Sequence, residues 1–342
     1  MQKIGVLTGG ADCPGMNSVI RAIVRKGMQD GFVVSGIKNG WLGLIENDMR
    51  ILDARITSGI LDRGGTILGT SRMESPLEEH VLNTISENFK RSGLDAVIAI
   101  GGENTLKLGL DLFKEKGLPV IGVPKSIDNA LSGTDYAFGF DTAVNIATEC
   151  IDRLHTTAES HHRIIVIEVM GHYTGWIALE AGIAGGADIV LVPEYPIKID
   201  DVCEALHSRH RRGKTFSLIV VSEGANIEGY SLIQKNRETE RRKRLTNIGE
   251  ILASLIEQNT GYETRVSVLG HIQRGGSPSA YDRMIGTQFG VKAVDLVKEQ
   301  KFGQMVSLHD GKIRSVDISL AVKKRKTIDD DVYKISKIFT EA

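Results

Sequence analysis

The residues best suited to chemistry lie in the stretch PKSIDN (124–129). Lys125 supplies a cation, Ser126 a hydroxyl and Asp128 a carboxylate within a few positions. A carboxylate beside a phosphate site can bind a metal ion or accept the proton of an attacking hydroxyl. It can also be an ordinary turn residue, because Asp often hydrogen-bonds the backbone of its own turn. The stretch alone leaves these three roles of Asp128 open.

Two glycine-rich turns could bring a ligand close to the backbone. GGENTL (101–106) directly follows an apolar run, and TGGADCPGMN (8–17) leads into a predicted helix whose N-terminal amides can hold an anion. Glu103 repels a phosphate unless a cation lies between them, and the amide of Asn104 fills space that a glycine would leave open. Such turns are common in α/β proteins, so each is weak evidence alone.

Arginines near predicted strand ends could grip a phosphate with paired donors. The candidates are Arg72, Arg163, Arg265 and Arg274. Each of them, taken singly, is equally compatible with a surface charge. Arg163 and Arg265 lie at the edges of predicted buried strands, where an unpaired guanidinium is costly, so we expect a phosphate partner for both.

Seven short apolar runs are predicted to be the strands that position these residues. They are continuous rather than alternating, which is typical of strands covered on both faces, and they span 4–8, 96–100, 119–123, 163–169, 188–193, 217–223 and 266–271. Helical patterns lie between them, for example at 16–29 and 142–155. Strand, glycine turn and helix in repetition predict an α/β fold with doubly wound parallel sheets.

Six of the predicted strands end in polar sequence. The six ends are TGGADCPG, GGENT, PKSIDN, MGHYTG, SEGAN and GHIQRGG. Ligands of doubly wound sheets bind at the carboxyl ends of the strands, so these ends predict a shared ligand site. The charged segment 226–247 breaks the pattern, and we interpret it as a solvated helix or a surface excursion.

Length and composition bound the function. The 342 residues suffice for two domains or one large α/β domain, and the formal net charge of −1 gives no reason to expect a nucleic-acid or membrane partner. The three cysteines form neither a disulfide framework nor a metal ligand set, so we expect a cytoplasmic protein. No apolar run approaches 18 residues, and the sequence begins with a predicted strand rather than a leader.

The order of these motifs resembles the bacterial phosphofructokinase family along the whole chain. The matching segments are RGGTILGTSR, GGENTL, PKSIDN, GTDYAFGFDTA, CIDRLHTTAESHHR, EVMGHYTGW, AGIAGGAD and VLGHIQRGGSPSAYDR, of which the last is highly specific. Lys125 and the TAESHHR run are most similar to the subgroup that includes pyrophosphate-dependent enzymes and their close ATP-using relatives.

The resemblance implies a fold and an assembly. It implies two Rossmann-like doubly wound domains with the active site in the cleft between them. The larger domain, 1–139 plus about 274–323, would hold the phosphoryl donor and Mg²⁺. The smaller domain, about 140–273 plus 324–342, would bind the sugar phosphate. A homodimer or homotetramer is expected, because the match at Arg163 implies a shared site.

The resemblance also implies phosphoryl transfer from pyrophosphate or ATP to the C1 hydroxyl of fructose 6-phosphate, a step of glycolysis. Asp128 matches the base, Arg72 the arginine that bridges the transferring phosphoryl, and Glu103 the acid that holds Mg²⁺; Lys125 is a further catalytic candidate. The implied sugar-phosphate contacts are Ser126, Met170, Gly171, His172, Glu223, Arg265, His271 and Arg274, with Arg163 supplied from a neighbouring subunit. The donor contacts are Gly10, Ala11, Arg72, Gly102, Asn104 and Thr105.

Four positions depart from the family pattern on the donor side. Ala11 stands in a loop that usually reads GGGD or SGGD, Asn104 replaces glycine or aspartate, Ala130 replaces the last carboxylate of IDND, and His172 replaces the arginine of MGR. A methyl group at Ala11 would crowd a phosphate that rests on the backbone.

Two positions bear on the donor. Asn104 has the volume of aspartate, and Leu108 falls where ATP-using members tend to keep a small residue beneath the adenine. This bulk disfavours a nucleoside, and Lys125 can neutralise the free end of pyrophosphate. We therefore favour pyrophosphate slightly over ATP.

Two other classes of function stay open. A divergent paralogue could have weak or no activity, act on another phosphorylated sugar, or bind sugar phosphates as a regulator. Asp128 and Arg72 argue against a dead site, because a binding protein has no need of the base. GGENT also resembles the GGDGT loop of NAD and lipid kinases, but that resemblance ends at the loop and leaves GHIQRGG unexplained.

Overall fold

A computed structural model of the protein describes residues 2–73, 77–230 and 247–341. It divides the chain into two compact units: unit 1 comprises Met1–Thr142 and Arg274–Lys326, and unit 2 comprises Ala143–Gln273 and Thr327–Ala342. Two of the unit boundaries lie three residues after the expected domain limits at 139 and 323. Most of the charged segment 226–247, namely residues 231–246, lies outside the described residues.

The described residues contain eleven strands. In chain order they are β1 (Lys3–Thr8), β2 (Val33–Ile37), β3 (Met49–Leu52), β4 (Ala96–Gly101), β5 (Val120–Pro124), β6 (Ile164–Val169), β7 (Ile189–Leu191), β8 (Ser217–Ser222), β9 (Thr264–Val268), β10 (Gln304–His309) and β11 (Lys312–Asp317).

Eleven α-helices and one 3₁₀ helix (Gly270–Arg274) connect these strands within the described part of the chain. The α-helices are α1 (Met16–Gln29), α2 (Leu42–Ile45), α3 (Glu79–Arg91), α4 (Glu103–Lys116), α5 (Phe140–His161), α6 (Trp176–Ala184), α7 (Ile199–Arg211), α8 (Ile248–Thr260), α9 (Ala280–Lys298), α10 (Leu320–Lys323) and α11 (Asp330–Glu341). The predicted helix over 16–29 is confirmed by α1.

Unit 1 contains a seven-stranded sheet in the order β11-β10-β5-β4-β1-β2-β3. Its five central strands are parallel, as predicted, but β3 and β11 at the two edges are antiparallel to their neighbours. The predicted parallel sheet is therefore confirmed at the centre of unit 1, and one antiparallel strand is added at each edge. The antiparallel pair β10–β11 turns at Asp310 and Gly311, both with positive φ, which is the conformation that a tight hairpin requires.

Unit 2 contains a four-stranded parallel sheet in the order β7-β8-β6-β9. The two central strands, β6 and β8, are buried along their whole length, as their continuous apolar sequence predicts. Helices on the faces of the sheet complete the core, in which Val166, Ile219 and Leu252 are each completely buried. The α/β fold inferred from the sequence is thereby confirmed.

None of the helices in the described part of the chain combines the length and the apolar character needed to cross a bilayer.

Candidate active site

Polar loops leave each sheet side by side at the carboxyl ends of parallel strands. In unit 1 the loops follow β1, β4 and β5, which are neighbours in register. In unit 2 they follow β8, β6 and β9, which are also neighbours. We call the loops 9–12, 102–105 and 125–130 the unit 1 cluster, and the loops 170–174, 223–225 and 269–273 the unit 2 cluster. The six polar ends predicted from the sequence thus form one cluster in each unit.

Lys125 is buried at the centre of the unit 1 cluster. Only 6% of the residue is exposed, and its Nζ donates a hydrogen bond to the carbonyl of Ala11. Burial is the main cause that lowers the pKa of Lys125, and the guanidinium of Arg274 lowers it further. Gly10 lies at φ 77°, and a Cβ there would stand 3.6 Å from the ammonium. Lys125 therefore ties the end of β5 to the loop after β1 and brings a cation to that loop.

The carboxylate of Asp128 is held by its own loop. The Ser126 hydroxyl donates to Oδ1 of Asp128, and Asp128 itself is half-buried. Asn129, at a positive φ of 48°, anchors the loop because its side chain accepts from the amide of Ala137 over 3.1 Å. The backbone of this loop is thus fixed on both sides of Asp128, with the carboxylate oriented by the serine.

Glu103 begins α4 and pairs with a residue that the motif analysis missed. Nε of Arg325 donates to Oε2 of Glu103 over 3.0 Å. The sequence signal is the basic run 323–326, but the two residues are 222 positions apart, so their contact could not be inferred. No cluster of three or more metal-ligating side chains occurs among residues 2–73, 77–230 and 247–341. Mg²⁺ often binds through one or two carboxylates and the substrate phosphates, so the single carboxylate of Glu103 is compatible with Mg²⁺ binding.

The other residues at the start of α4 differ in accessibility. Asn104 is exposed, whereas Thr105 is buried against the glycines at 9 and 101 and its carbonyl accepts from Nε1 of Trp41 over 3.1 Å. Leu108 is fully buried in the core of unit 1, in the same cluster as Leu7 and Trp41. The expectation that Leu108 adds bulk beneath a nucleoside is therefore wrong, since its side chain belongs to the core.

Two further candidates, Arg72 and Arg274, lie close in the structure to the loop after β1. The amide of Gly10 donates to the carbonyl of Ser71 over 2.9 Å, so the backbone beside the exposed Arg72 is held against that loop. Arg274 ends the 3₁₀ helix, and its Nη1 lies 3.5 Å from the carbonyl of Asp12. Both guanidinium groups are thus carried by segments that contact the 9–12 loop.

The unit 2 cluster is braced by glycines. Gly171 has φ 138°, and a Cβ there would overlap the hydroxyl of Ser222, which donates to the carbonyl of Gly171 over 2.7 Å. A Cβ on Gly224 would overlap the carbonyl of His172. The amide of Gly171 also faces Oε1 of Glu223 at 3.4 Å. The loops after β6 and β8 therefore depend on glycine to pass each other closely.

Gln273 links the third loop of the unit 2 cluster to the first, and the sequence analysis missed it. This side chain is fully buried; its Oε1 accepts from the amide of Met170 over 3.3 Å, and its Nε2 donates to Gly270 over 3.1 Å. His172 and His271 remain exposed on the loops that it joins. The available sequence signal is the glutamine inside the GHIQRGG motif, at the end of a predicted strand. Such an amide, once buried, needs hydrogen-bond partners for both its oxygen and its nitrogen.

Arg163 and Arg265 lie at the opposite edge of the unit 2 sheet. Arg163 precedes β6, and Arg265 stands in register with the second residue of that strand. Six residues of strand at about 3.3 Å each separate this edge from Met170 by about 20 Å. Grouping Arg265 with Met170, Gly171 and His271 in one chain is therefore wrong, because parallel strands place these residues at opposite ends.

Glu263 accepts from both of these arginines. Arg163 pairs with it at 2.9 Å, Arg265 pairs with it more closely, and the pKa of Glu263 is lowered by Arg163 first and then by Arg265. The Arg265 side chain is 55% exposed, so the desolvation cost from which a phosphate partner was expected is small at this arginine. Nε of Arg163 is buried and has no hydrogen-bond partner among the described residues. The arginines thus form a second basic site, defined here as the Arg163–Arg265 pair.

Comparisons with known proteins agree with this arrangement of motifs. A protein from Streptomyces coelicolor named pyrophosphate–fructose 6-phosphate 1-phosphotransferase is 49% identical over 340 residues, which cover 98% of this chain and 99% of the relative. An ATP-dependent 6-phosphofructokinase from Spirochaeta thermophila is 46% identical over 343 residues, which cover 96% of this chain and 93% of the relative.

A solved structure and a family profile give the same result. The structure of phosphofructokinase from Saccharomyces cerevisiae matches with a TM-score of 0.80 at 29% identity; the match covers 98% of this chain and 46% of the yeast chain, so this chain spans about half the length of that relative. The profile described as phosphofructokinase matches residues 3–297. With relatives near half identity over nearly its full length, the chain belongs to the phosphofructokinase family.

Proposed function

We propose that this protein transfers a phosphoryl group from pyrophosphate to the C1 hydroxyl of fructose 6-phosphate, giving fructose 1,6-bisphosphate. The observation that carries the proposal is the loop after β5, in which Ser126 orients Asp128 next to the buried cation of Lys125. A half-buried carboxylate beside a fixed positive charge suits the removal of a proton from a hydroxyl that attacks phosphorus.

In this mechanism Asp128 accepts the hydroxyl proton as the oxygen attacks the terminal phosphorus of the donor. Lys125 and Arg72 stabilise the negative charge of the donor and of the transferring phosphoryl group. Mg²⁺, when bound to Glu103 and the donor phosphates, would neutralise charge on the leaving group. The family relationship and the single accessible carboxylate at the start of α4 support Mg²⁺ as the metal.

The choice of pyrophosphate rests on Asn104 and Lys125. Asn104 is exposed at the first turn of α4, where its amide fills the space that an α-phosphate would need, and Lys125 offers a charge for the free phosphate end. Leu108 no longer contributes, since it lies in the core. Relatives of similar identity are named for both donors. ATP is therefore the second candidate donor.

Residues of the unit 2 cluster are the proposed contacts of the acceptor, and Ser126 and Arg274 of unit 1 stay contacts that the family resemblance predicts. The proposed contacts lie on the loops that Gln273 and the glycines connect; they are Met170, Gly171, His172, Glu223 and His271. We further propose that the protein is a homodimer or homotetramer. In it, the Arg163–Arg265 pair of one subunit binds the 6-phosphate of the fructose 6-phosphate that occupies the active site of a neighbouring subunit. Its distance of about 20 Å from Met170 in the same chain supports that assignment.

We place the protein in the cytoplasm, where thiols stay reduced. Cys13, Cys150 and Cys203 are all free, and burial raises the pKa of Cys13 to about 12, which keeps that thiol protonated.

The test is an assay of the purified protein with Mg²⁺ and fructose 6-phosphate, and with pyrophosphate or ATP in separate reactions. Formation of fructose 1,6-bisphosphate with pyrophosphate, at higher kcat/KM than with ATP, is expected. No product with either donor would remove the proposal.

One alternative is a protein that binds sugar phosphates without transferring a phosphoryl group. The pairing of Glu103 with Arg325 and the loss of a carboxylate at Ala130 favour it. Calorimetric binding of fructose 6-phosphate by a protein that shows no turnover with either donor would identify this case.

A further inference from the structure

The carboxylate of Glu103 is engaged by a cation of the chain itself. Arg325 Nε lies 3.0 Å from Glu103 Oε2, and the side chains of Arg325 and Glu103 are 42% and 36% exposed. Each therefore lies partly open to solvent, where a metal and a phosphate could reach it. The inference that follows rests on the proposed function, in which Glu103 holds Mg²⁺ with the donor.

The backbone around Arg325 is fixed to the loop that carries Asp128. Arg325 forms an antiparallel bridge with Leu131, and the amide of Lys326 donates to the carbonyl of Ala130 over 2.9 Å. The ammonium of Lys326 also donates to the carbonyl of Asp135. Since Arg325 and Lys326 are both bound to the segment 130–135, the fold and not a loose chain brings the guanidinium to Glu103.

The other partner is equally well placed. Glu103 is the first residue of α4, and the helix is preceded by Gly102 in an extended conformation without a side-chain cap. The helix start fixes the Cα of Glu103 beside the end of β4. The ion pair therefore joins two anchored parts of unit 1, namely the start of α4 and the segment after α10 that is bound to the loop after β5.

We propose that Arg325 determines the metal requirement of the donor site by competing with Mg²⁺ for Glu103. Mg²⁺ needs a carboxylate oxygen at short range in near-octahedral geometry, and it dehydrates reluctantly. An oxygen that accepts from a guanidinium is a weaker ligand, so the ion pair must loosen before the metal binds. An exposed ion pair contributes up to about 1 kcal/mol, equivalent to about fivefold in a binding constant.

The test measures metal binding without turnover. Pyrophosphate is kept in fixed excess, fructose 6-phosphate is left out, and the Mg²⁺ concentration is varied. Pyrophosphate raises the Tm only to the extent that it binds the folded protein, so the rise of Tm with Mg²⁺ reports metal-dependent binding. The equilibrium between Mg²⁺ and pyrophosphate in solution is the same for every variant and cancels in the comparison. The same series is run with ATP.

Arg325→Ala should lower the Mg²⁺ concentration at half-maximal Tm rise by about two- to fivefold. Lys324→Ala is the matched control, since it removes the same charge from the exposed neighbouring residue and should leave the midpoint unchanged. In a Glu103→Gln background, Arg325→Ala should have no further effect on the midpoint, because the group for which Arg325 competes has been removed.

An unchanged midpoint in Arg325→Ala would overturn the inference while leaving the proposed function intact. A raised midpoint would also overturn it, since it would show that Arg325 binds the donor directly. Absence of any stabilisation by either donor, together with absence of product, would instead remove the proposed function and the inference with it.

Discussion

At the scale of single residues, the proposed mechanism makes turnover depend on Asp128, whose carboxylate accepts a hydrogen bond from Ser126. Asp128→Asn keeps the volume and an acceptor for the serine but cannot take a proton. We expect kcat to fall by about 10²- to 10⁴-fold, because that is the usual contribution of a general base. The KM for fructose 6-phosphate should change little. Steady-state rates with saturating donor measure both, and a near-normal kcat would show that Asp128 is only a turn residue.

Asn104 is the residue at which donor preference can be tested. Asn104→Gly removes an exposed side chain from the first turn of α4, so the space for an α-phosphate is restored. The ratio of kcat/KM with ATP to kcat/KM with pyrophosphate should rise several-fold. Leu108→Ala is the contrasting variant: it should cost stability, since a buried leucine is lost, but should not shift the ratio. If wild type already prefers ATP and the glycine variant gains nothing with it, Asn104 does not select the donor.

The sequence was informative about residues where the chemistry is local. Lys125, Ser126 and Asp128 lie within one turn, so their proximity follows from their spacing. The error at Leu108 has a local cause too: it lies one helical turn before the core residue Leu112, a repeat that places both on the buried face of α4. Arg325 is a different case, because its contact with Glu103 depends on tertiary structure.

At the scale of elements, the buried Asp282 fixes the start of α5. Its carboxylate accepts from the amides of Gly139 and Thr142, each over 2.9 Å, and from the Thr142 hydroxyl over 2.5 Å. These groups belong to the first turn of the helix and the residue before it, where amides lack partners within the helix. Burial nevertheless raises the pKa of Asp282 to about 6, with the hydrogen bonds from Thr142 opposing that rise.

This raised pKa predicts the sign of a pH effect on stability. A carboxyl whose folded pKa of about 6 exceeds its ordinary value of 3.8 binds its proton more tightly when folded, so its contribution is complete below about pH 4 and is lost as pH rises through 6. The loss amounts to at most about 3 kcal/mol. Asp282→Asn should remove this part of the dependence.

The measurement is the urea midpoint of unfolding between pH 4 and 7. Asp282→Asn should be destabilised overall, because an amide nitrogen cannot accept from the helix amides, but its midpoint should fall less over this range than that of wild type. Asp152→Asn is the control: it changes an exposed carboxylate of α5, the helix whose start Asp282 holds, and should keep the wild-type profile. Parallel profiles for wild type and Asp282→Asn would contradict the assignment.

The sequence predicted strands well where burial on both faces leaves a continuous apolar run. The central strands β4, β6 and β8 are buried throughout and were predicted within a residue or two of their bounds. The edge strands β3 and β11 were missed, because they are partly accessible and mix charged with apolar residues. The strands β2 and β10 were missed as well. A two-residue connection makes β11 antiparallel to β10, whereas β3 follows β2 through the one-turn helix α2, so its direction could not be inferred.

At the scale of the whole molecule, the position of the Arg163–Arg265 pair bears on whether the active site is built from one chain or from two. The pair lies at the amino edge of the unit 2 sheet, whereas the loops with Met170 and His271 leave the carboxyl edge, about 20 Å away along β6. A ligand as small as a hexose phosphate cannot bridge that length within unit 2. The geometry instead fits a site that takes its arginines from a second copy of the chain.

Complementation between two inactive variants tests this assembly. One chain carries Asp128→Asn, and the other carries Arg163→Ala together with Arg265→Ala. Each homo-oligomer should have very low activity, since the first lacks the base and the second lacks the charges that hold the 6-phosphate. In a two-fold symmetric hybrid, one site combines the intact base of one chain with the intact arginines of its partner, while the other site combines both defects.

Random mixing of the two chains in a dimer should therefore restore about a quarter of the wild-type activity, because half of the dimers are hybrids and each has one intact site. Co-expressed chains with different affinity tags, purified on both tags in turn, isolate the hybrid and should double that recovery. Arg153→Ala, at an exposed arginine of α5, serves as the control and should be active alone. If the arginines act on the site of their own chain, the hybrid contains no complete site and stays inactive, which would overturn the shared-site assembly while leaving the role of Asp128 unaffected.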